Sequence, residues 1–259
     1  MPRLLVSLIV AGFTVVAAAG LSPTMAADQA VVEGGGPNLS DAPRDVSRPI
    51  RGVVELFTSQ GCSSCPPANK VLADLGKLDG VIALSFSVDY WNYLGWRDTF
   101  SKPEFTQRQY AYAQPLKLRS VYTPQLVIDG MDHMPGARQK DIRSTIESRR
   151  AAQAKTDVSI GAVGGQMRIH VEAAQKPAHD AAIWVVDYMP GPQEVAVGRG
   201  ENRGRTIAHF NVVTGLKKIG EWKGQTADYS MPACKHACAI LVQDMHHGEI
   251  IGAADYRVG

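Results

Sequence analysis

The amino-acid sequence predicts an α/β domain followed by a small all-β, sandwich-like domain, and two changes of texture carry that expectation. Between Arg51 and Tyr90 a buried-strand pattern, "RGVVELFTS", is followed by "NKVLADLGKL" and then by a second strand, "GVIALSFSVDY". The middle segment places Val71, Leu72, Leu75 and Leu78 at helical spacing. Strand, helix and strand in that order imply a parallel pair joined by a right-handed crossover. Beyond Lys155 the helical period disappears. There "DVSIGAVGGQMRIHVEAA", "AAIWVVDYM", "QEVAVGRG", "RTIAHFNVV" and "ACAILVQDM" read as strands separated by turn residues.

The remaining elements follow in chain order. After Met-Pro-Arg, Leu4 to Ala27 carries no charge and ends on small residues, so residues 1–27 are expected to be a cleaved export signal, with an uncleaved membrane anchor as the alternative. Residues 28–49 include "EGGGPNLSDAPRD", which lacks apolar periodicity and reads as a flexible leader. The α/β domain is expected over residues 50–154. Within it, an aromatic-dense stretch turns helical from about Pro103 to Ala113, proline being suited to a first helical turn. "VYTPQLVIDGMDHMPG" reads as a hairpin around Asp-Gly, and residues 136–154, with Ile142 and Ile146, as a covering helix. The β-rich domain is expected over residues 156–259.

Charge and cysteine usage narrow the function. Twenty-seven basic residues against 25 acidic ones, with no basic stripe, argue against nucleic acid as a partner. All four cysteines follow the export segment, and an exported chain meets an oxidising compartment where disulfides persist. The protein is therefore expected to be periplasmic or secreted, with no membrane attachment after cleavage. Cys62/Cys65 and Cys234/Cys238 are the simplest pairs.

The first pair lies in "FTSQGCSSCPP", residues 57–67, between strand and helix. Exchange chemistry needs a thiolate, and unpaired N–H groups at a helix mouth favour one on Cys62. Cys65, nearly a turn later, would lie close enough to resolve a mixed disulfide. An independent feature is Thr123-Pro124 at the start of a strand, where a proline needs a special reason such as a cis bond facing a site. Two cysteines after the first strand and a Thr-Pro before the third are the working parts of a thioredoxin-type site. A static bridge and a metal clamp are the alternatives for the same cysteines. Glu55, on the strand before them, is the acid at hand, one step out of phase.

Together "VVELFTSQGCSSCPPA", "VDYWNYLGWRDTF", "VYTPQLVIDG" and "GENRGRT" resemble the secreted thioredoxin-like family catalogued as a domain of unknown function, number 1223. The resemblance implies a thioredoxin-like fold with a C-terminal β extension. Likeness to thioredoxins in general implies Cys62 as nucleophile, Cys65 as resolving thiol, and Thr123 and Pro124 as a platform for the substrate backbone.

Other residues have competing uses. Tyr90, Trp91 and Trp96 could contact an unfolded protein substrate, or pack a satellite core. Cys234 and Cys238 bracket Lys-His-Ala and read as a structural staple, although His236, His246 and His247 make zinc or copper conceivable there. Met131, His133 and Met134 are soft ligands, so a copper-binding or copper-delivery module is the main alternative, against an edge strand with alternating faces. "GRGENRGRT", with Arg199, Arg203 and Arg205, reads as a solvated hairpin loop rather than an anion nest. The expected function is thiol–disulfide exchange with exported protein substrates and a redox partner, needing no cofactor or metal. A non-catalytic interaction protein held by structural disulfides is the second alternative.

Overall fold

A computed structural model of the chain describes residues 50–150, 156–173 and 176–258. The expected export signal (1–27), the leader (28–49) and the expected boundary near residue 155 lie outside the described residues. Strand β1 (Gly52–Thr58) runs parallel to β2 (Val81–Ser87), in register from Gly52↔Val81 to Thr58↔Ser87. The connection is α1 (Cys65–Leu75), whose buried residues include Ala68, Leu72 and Leu75. Every residue of β1 and β2 is buried, so both faces of the pair need cover. Helix α2 (Pro103–Ala113) covers one face, with Phe105 and Tyr112 in the cluster that holds Phe57 and Phe86. On the other, α1 and α3 (Gln139–Arg150) bring Leu72, Leu75, Ile142 and Ile146 against Val54 and Leu56.

The hairpin of β3 (Gln125–Ile128) and β4 (Asp132–Pro135) lies beside β1, antiparallel to it. Asp129 and Gly130 both have positive φ, 48° and 71°, which suits an Asp-Gly turn. No side chain fits at Gly130, because a Cβ there would run into the Gly248 carbonyl.

The C-terminal strands are β5 (Thr156–Val163), β6 (Gln166–Ala173), β7 (Ala181–Ala196), β8 (Thr206–Trp222), β9 (Ala227–Pro232), β10 (Ala237–Asp244) and β11 (Ile250–Arg257). They correct the expected fold class. Instead of a thioredoxin-like α/β domain followed by a separate β domain, eight strands form one mixed sheet in the order β11-β10-β7-β8-β2-β1-β3-β4. Of the described residues 46% are strand and 18% helix, with three α-helices among them. The physical reason is an edge. In the β1–β2 unit the outer edge of β2 is an open ladder on a buried strand, and β8 takes it at Ser85↔Val212, bringing β7 with it. Alternation within a strand reveals its buried face but not its lateral neighbour.

A second sheet, β5-β6-β9, packs Val158, Ile160, Ile169 and Val171 against Ile183, Val185, Ile240 and Val242 of the large sheet. Among the described residues no helix is long and apolar enough to cross a membrane.

Candidate functional site

β1 ends at Thr58, and a tight loop carries the chain into α1. The Cys62 N–H donates to the Ser59 carbonyl at 3.2 Å, and the Cys65 N–H donates to the Cys62 carbonyl at 3.2 Å. Cys65 is the first helical residue and Pro66 follows in the first turn, where a missing N–H costs nothing. Cys62 and Cys65 are joined by a disulfide, with Cα atoms 5.4 Å apart. The first turn of α1 holds no acidic residue and Ser64 makes no side-chain cap. No residue of the first turn compensates the positive helix end, which favours a sulfur anion there, while Glu201 brings a carboxylate to the Ser63 N–H just before it. Ser64 Oγ lies 3.4 Å from Cys62 Sγ.

One turn below Cys65, the buried Asn69 accepts from Thr58 Oγ1 at 3.0 Å and donates to the Ala208 carbonyl at 3.1 Å. This polar bridge ties α1 to both β1 and β8. Glu55 is not part of it: the carboxylate lies on the opposite face of the sheet, where Arg108 Nε donates at 2.5 Å and the Tyr112 hydroxyl also bonds it. Burial opposes the Arg108 charge, but the pull of Glu55 outweighs it and holds the guanidinium pKa above its ordinary value. Glu55 anchors α2 to the sheet and has no route to Cys65.

Thr123-Pro124 reaches the same end of the molecule, with its peptide bond cis. Gly136 donates to the Pro124 carbonyl at 3.1 Å, and a Cβ on Gly136 would come within 2.8 Å of Ala68 in α1. That glycine allows the turn bearing Pro124 to lie against the helix, three residues beyond Cys65. Thr123 Oγ1 accepts from Trp91 Nε1 at 2.8 Å.

Each of the three aromatic candidates has a partner inside the protein. Trp91 lies over the cysteine loop, since a Cβ on Gly61 would meet its Cβ at 3.1 Å. Tyr90 donates to Gln109 Oε1 at 3.2 Å, and burial pushes its pKa up to about 12. Trp96 donates to Gln60 Oε1 at 2.9 Å and packs beside Gly198 and Gly200. All three are half-buried, whereas the neighbouring Tyr93 is 79% exposed.

The tip of the long β7–β8 hairpin completes the site. Asn202, fully buried, donates to the carbonyls of both Gln60 and Cys62 at 2.9 Å. Glu201 accepts from the Ser63 N–H at 3.1 Å, and hydrogen bonding to Ser63 holds its carboxyl below the usual range. Sequence reasoning read this segment as a solvated loop. Arg199 and Arg203 are exposed, and Arg205 Nη1 donates to Asn202 Oδ1 at 2.9 Å. The one available signal was the run of small glycines, which lets the tip approach Trp96 closely.

Cys62 and Cys65 are each 0% exposed, while Ser63 and Ser64 between them are exposed. Two buried titratable groups lie on adjoining segments. Asp98 accepts from the Gln60 N–H at 2.8 Å, and burial raises its pKa. His209, on β8 with its ring 5.7 Å from that of Phe100, has both nitrogens buried without a partner, and burial lowers its pKa to about 4.

The remaining candidates lie elsewhere. Cys234 and Cys238 are joined by a disulfide, and their sulfurs lie 3.6 and 3.5 Å from Met167 Sδ inside an apolar cluster. His236 is exposed beside them, away from His246 and His247. His133 Nδ1 lies 3.0 Å from the Tyr122 hydroxyl, whereas Met134 packs on the core face shared with α1. Consecutive strand residues point to opposite faces, so Met131, His133 and Met134 do not gather at the cysteines.

Among solved structures, the crystal structure of a protein from Agrobacterium tumefaciens, a structural-genomics target, is 34% identical to the chain. It superposes with a TM-score of 0.70, covering 81% of this chain and 95% of that one. No functionally curated protein shows significant similarity. A family profile described as "Protein of unknown function (DUF1223)" matches residues 53–243, and the chain belongs to that family.

Proposed function

We propose that the protein is an exported thiol–disulfide oxidoreductase that exchanges electrons with protein thiols through Cys62 and Cys65. The observation that carries this reading is the position of the disulfide: at the mouth of α1, with an acid-free first turn and a polar layer beneath it. Export is supported by the uncharged Leu4–Ala27 stretch.

The chemistry starts from the disulfide. A client thiolate attacks Cys62 Sγ, forming a client–Cys62 bond and breaking Cys62–Cys65. Cys65 leaves as a thiolate at the first helical position, where the helix end stabilises it. A second client thiolate then attacks the client sulfur of the mixed disulfide and expels Cys62. Two electrons pass from the client dithiol to the pair, and the two thiolates take up protons from water. Run in reverse, the same steps reduce a client disulfide. Thr123 and Pro124 are the platform for the client backbone in this reading. Trp91 and the Asn202 loop, which contact the cysteine loop, move aside in this reading to admit the client.

Full burial of both sulfurs favours a second reading, a static bridge. A glutathione redox titration of the Cys234→Ala/Cys238→Ala protein, followed by thiol-specific mass tagging, separates the two. Exchange predicts a reversible midpoint within about −270 to −120 mV. A pair that stays oxidised throughout that range is a staple.

A further inference from the structure

We propose that His179, His246 and His247 form a binding site for a borderline divalent transition-metal ion, with Zn²⁺ as the working occupant. One ring nitrogen from each lies within 4.8 Å of the others, and the ring centroids are 4.4 to 5.0 Å apart. The sheet register brings them together. β10 pairs with β7 so that Asp244 lies opposite Ala181, which sets the turn after β10 beside the loop entering β7. His246 and His247 occupy that turn and His179 that loop.

Both segments are held in place. Asp244 Oδ1 accepts from the His246 N–H at 2.8 Å and the His247 N–H at 2.7 Å, and Met245 donates to the Asp180 carbonyl at 3.0 Å. The backbone bearing the three imidazoles is thus fixed by bonds that leave the rings free. His247 Nε2 lies 3.2 Å from His246 Nδ1, within the cluster, and its Nδ1 lies 3.8 Å from the Asp244 carboxylate, beyond hydrogen-bond range.

The donor set selects the ion. Three imidazoles suit Zn²⁺, Cu²⁺ or Ni²⁺, whereas Ca²⁺ and Mg²⁺ require oxygen ligands. At Zn–N distances of about 2.0–2.1 Å the nitrogens must close to roughly 3.4 Å, a ring rotation that exposed side chains can make. Three protein ligands leave a fourth position to water or a further ligand. His246 also lines a cleft of about 610 Å³ together with Arg108, Trp184 and Gln243, so the ion lies at its rim. The site is remote in sequence from Cys62 and Cys65 and uses neither of them.

The test is a Zn²⁺ titration of the purified, oxidised chain against a chromophoric chelator, without thiol reductant, with the Co²⁺ visible spectrum as a second readout. The expected result is one ion per chain, with affinity reduced more than about tenfold in His179→Ala and in His246→Ala. The His236→Ala protein, altered at an exposed histidine outside the cluster, keeps wild-type affinity. None of the three ligands is buried, so the variants retain the wild-type unfolding midpoint. Absence of stoichiometric binding overturns the proposal, as does affinity unchanged in His179→Ala, which would leave only the adjacent pair.

Discussion

The chain contains two short-range disulfides set in opposite surroundings. Cys62–Cys65 opens a helix and lies among polar groups: Ser64, Asn69 bridging Thr58 to β8, and Glu201 and Asn202 bonded to its own loop. Cys234–Cys238 enters the large sheet against Met167 and an apolar cluster, with the Asp187 carboxylate within 4.8 Å of both sulfurs as the polar group beside it. A thiolate is stabilised at the first position and penalised at the second, because a buried charge without donors loses its hydration. In the exchange reading proposed above, the first bond is the one that opens and the second the one that stays closed.

The largest expected effect breaks that comparison outright. Cys62→Ala should abolish turnover of a disulfide-containing protein substrate, whereas Cys234→Ala/Cys238→Ala should leave it intact; the opposite pattern would exchange the roles of the two bridges.

Acid stability is the next test. The folded-state pKa of His209 is lowered from 6.5 to about 4, so the unfolded chain takes up a proton first as the pH falls. Its stabilisation is present above pH 6.5 and is lost as pH falls towards 4, a change of about 3 kcal/mol. Asp129 acts with the opposite sign: burial raises its pKa from 3.8 to about 6, so its contribution is present at low pH and lost as pH rises through 6. The difference between wild-type and His209→Leu isolates the histidine. Urea unfolding midpoints at pH 7 and pH 4 should show that the variant lacks the histidine's share of the acid-induced loss.

Removing the second bridge should cost about 2 kcal/mol, the loop-closure value for so short a loop. Unfolding of Cys234→Ala/Cys238→Ala at constant pH measures it, and a cost near zero would deny the staple role. The smallest effect is kinetic. Asn202→Ala removes two bonds that hold the cysteine loop, each worth about 0.5–1.5 kcal/mol. Reduction of Cys62–Cys65 by dithiothreitol should then accelerate by at least about fivefold, the factor for the lower bound of about 1 kcal/mol for the two bonds together, and an unchanged rate would show that the loop does not limit access.

Local chemistry was legible in the sequence wherever a residue type dictates its own backbone. Pro103 opens a helix that ends at Ala113, and Asp129-Gly130 turns a hairpin, whereas "DVSIGAVGGQMRIHVEAA", read as one strand, is two strands turned at Gly164-Gly165. Strand membership was less so. "AAIWVVDYM" and the first four residues of "QEVAVGRG" belong to one strand, β7, which passes through Gly191 at a register shift, and the long extension of β8 to Trp222 has polar and apolar residues in no single phase. β9 and β11 went unread, the first because "ADYSMP" is half-exposed and the second because its inner residues are small. In the candidate site, cysteine and proline announce themselves. Asn202 does not, because its partners, Gln60 and Cys62, lie 142 and 140 residues away in sequence.

Local sequence dictates the helix that starts at Cys65, the two cysteine pairs available for bridging and the Asp-Gly turn that reverses the chain. Each depends on the dihedral preferences or covalent reach of a few neighbouring residues. Tertiary structure alone decided that β8 closes the open edge of β2, that the hairpin tip seals the cysteine loop and that His179 meets His246 and His247. Those outcomes depend on edges and faces that must be covered by something, and no local pattern specifies which distant segment will do it.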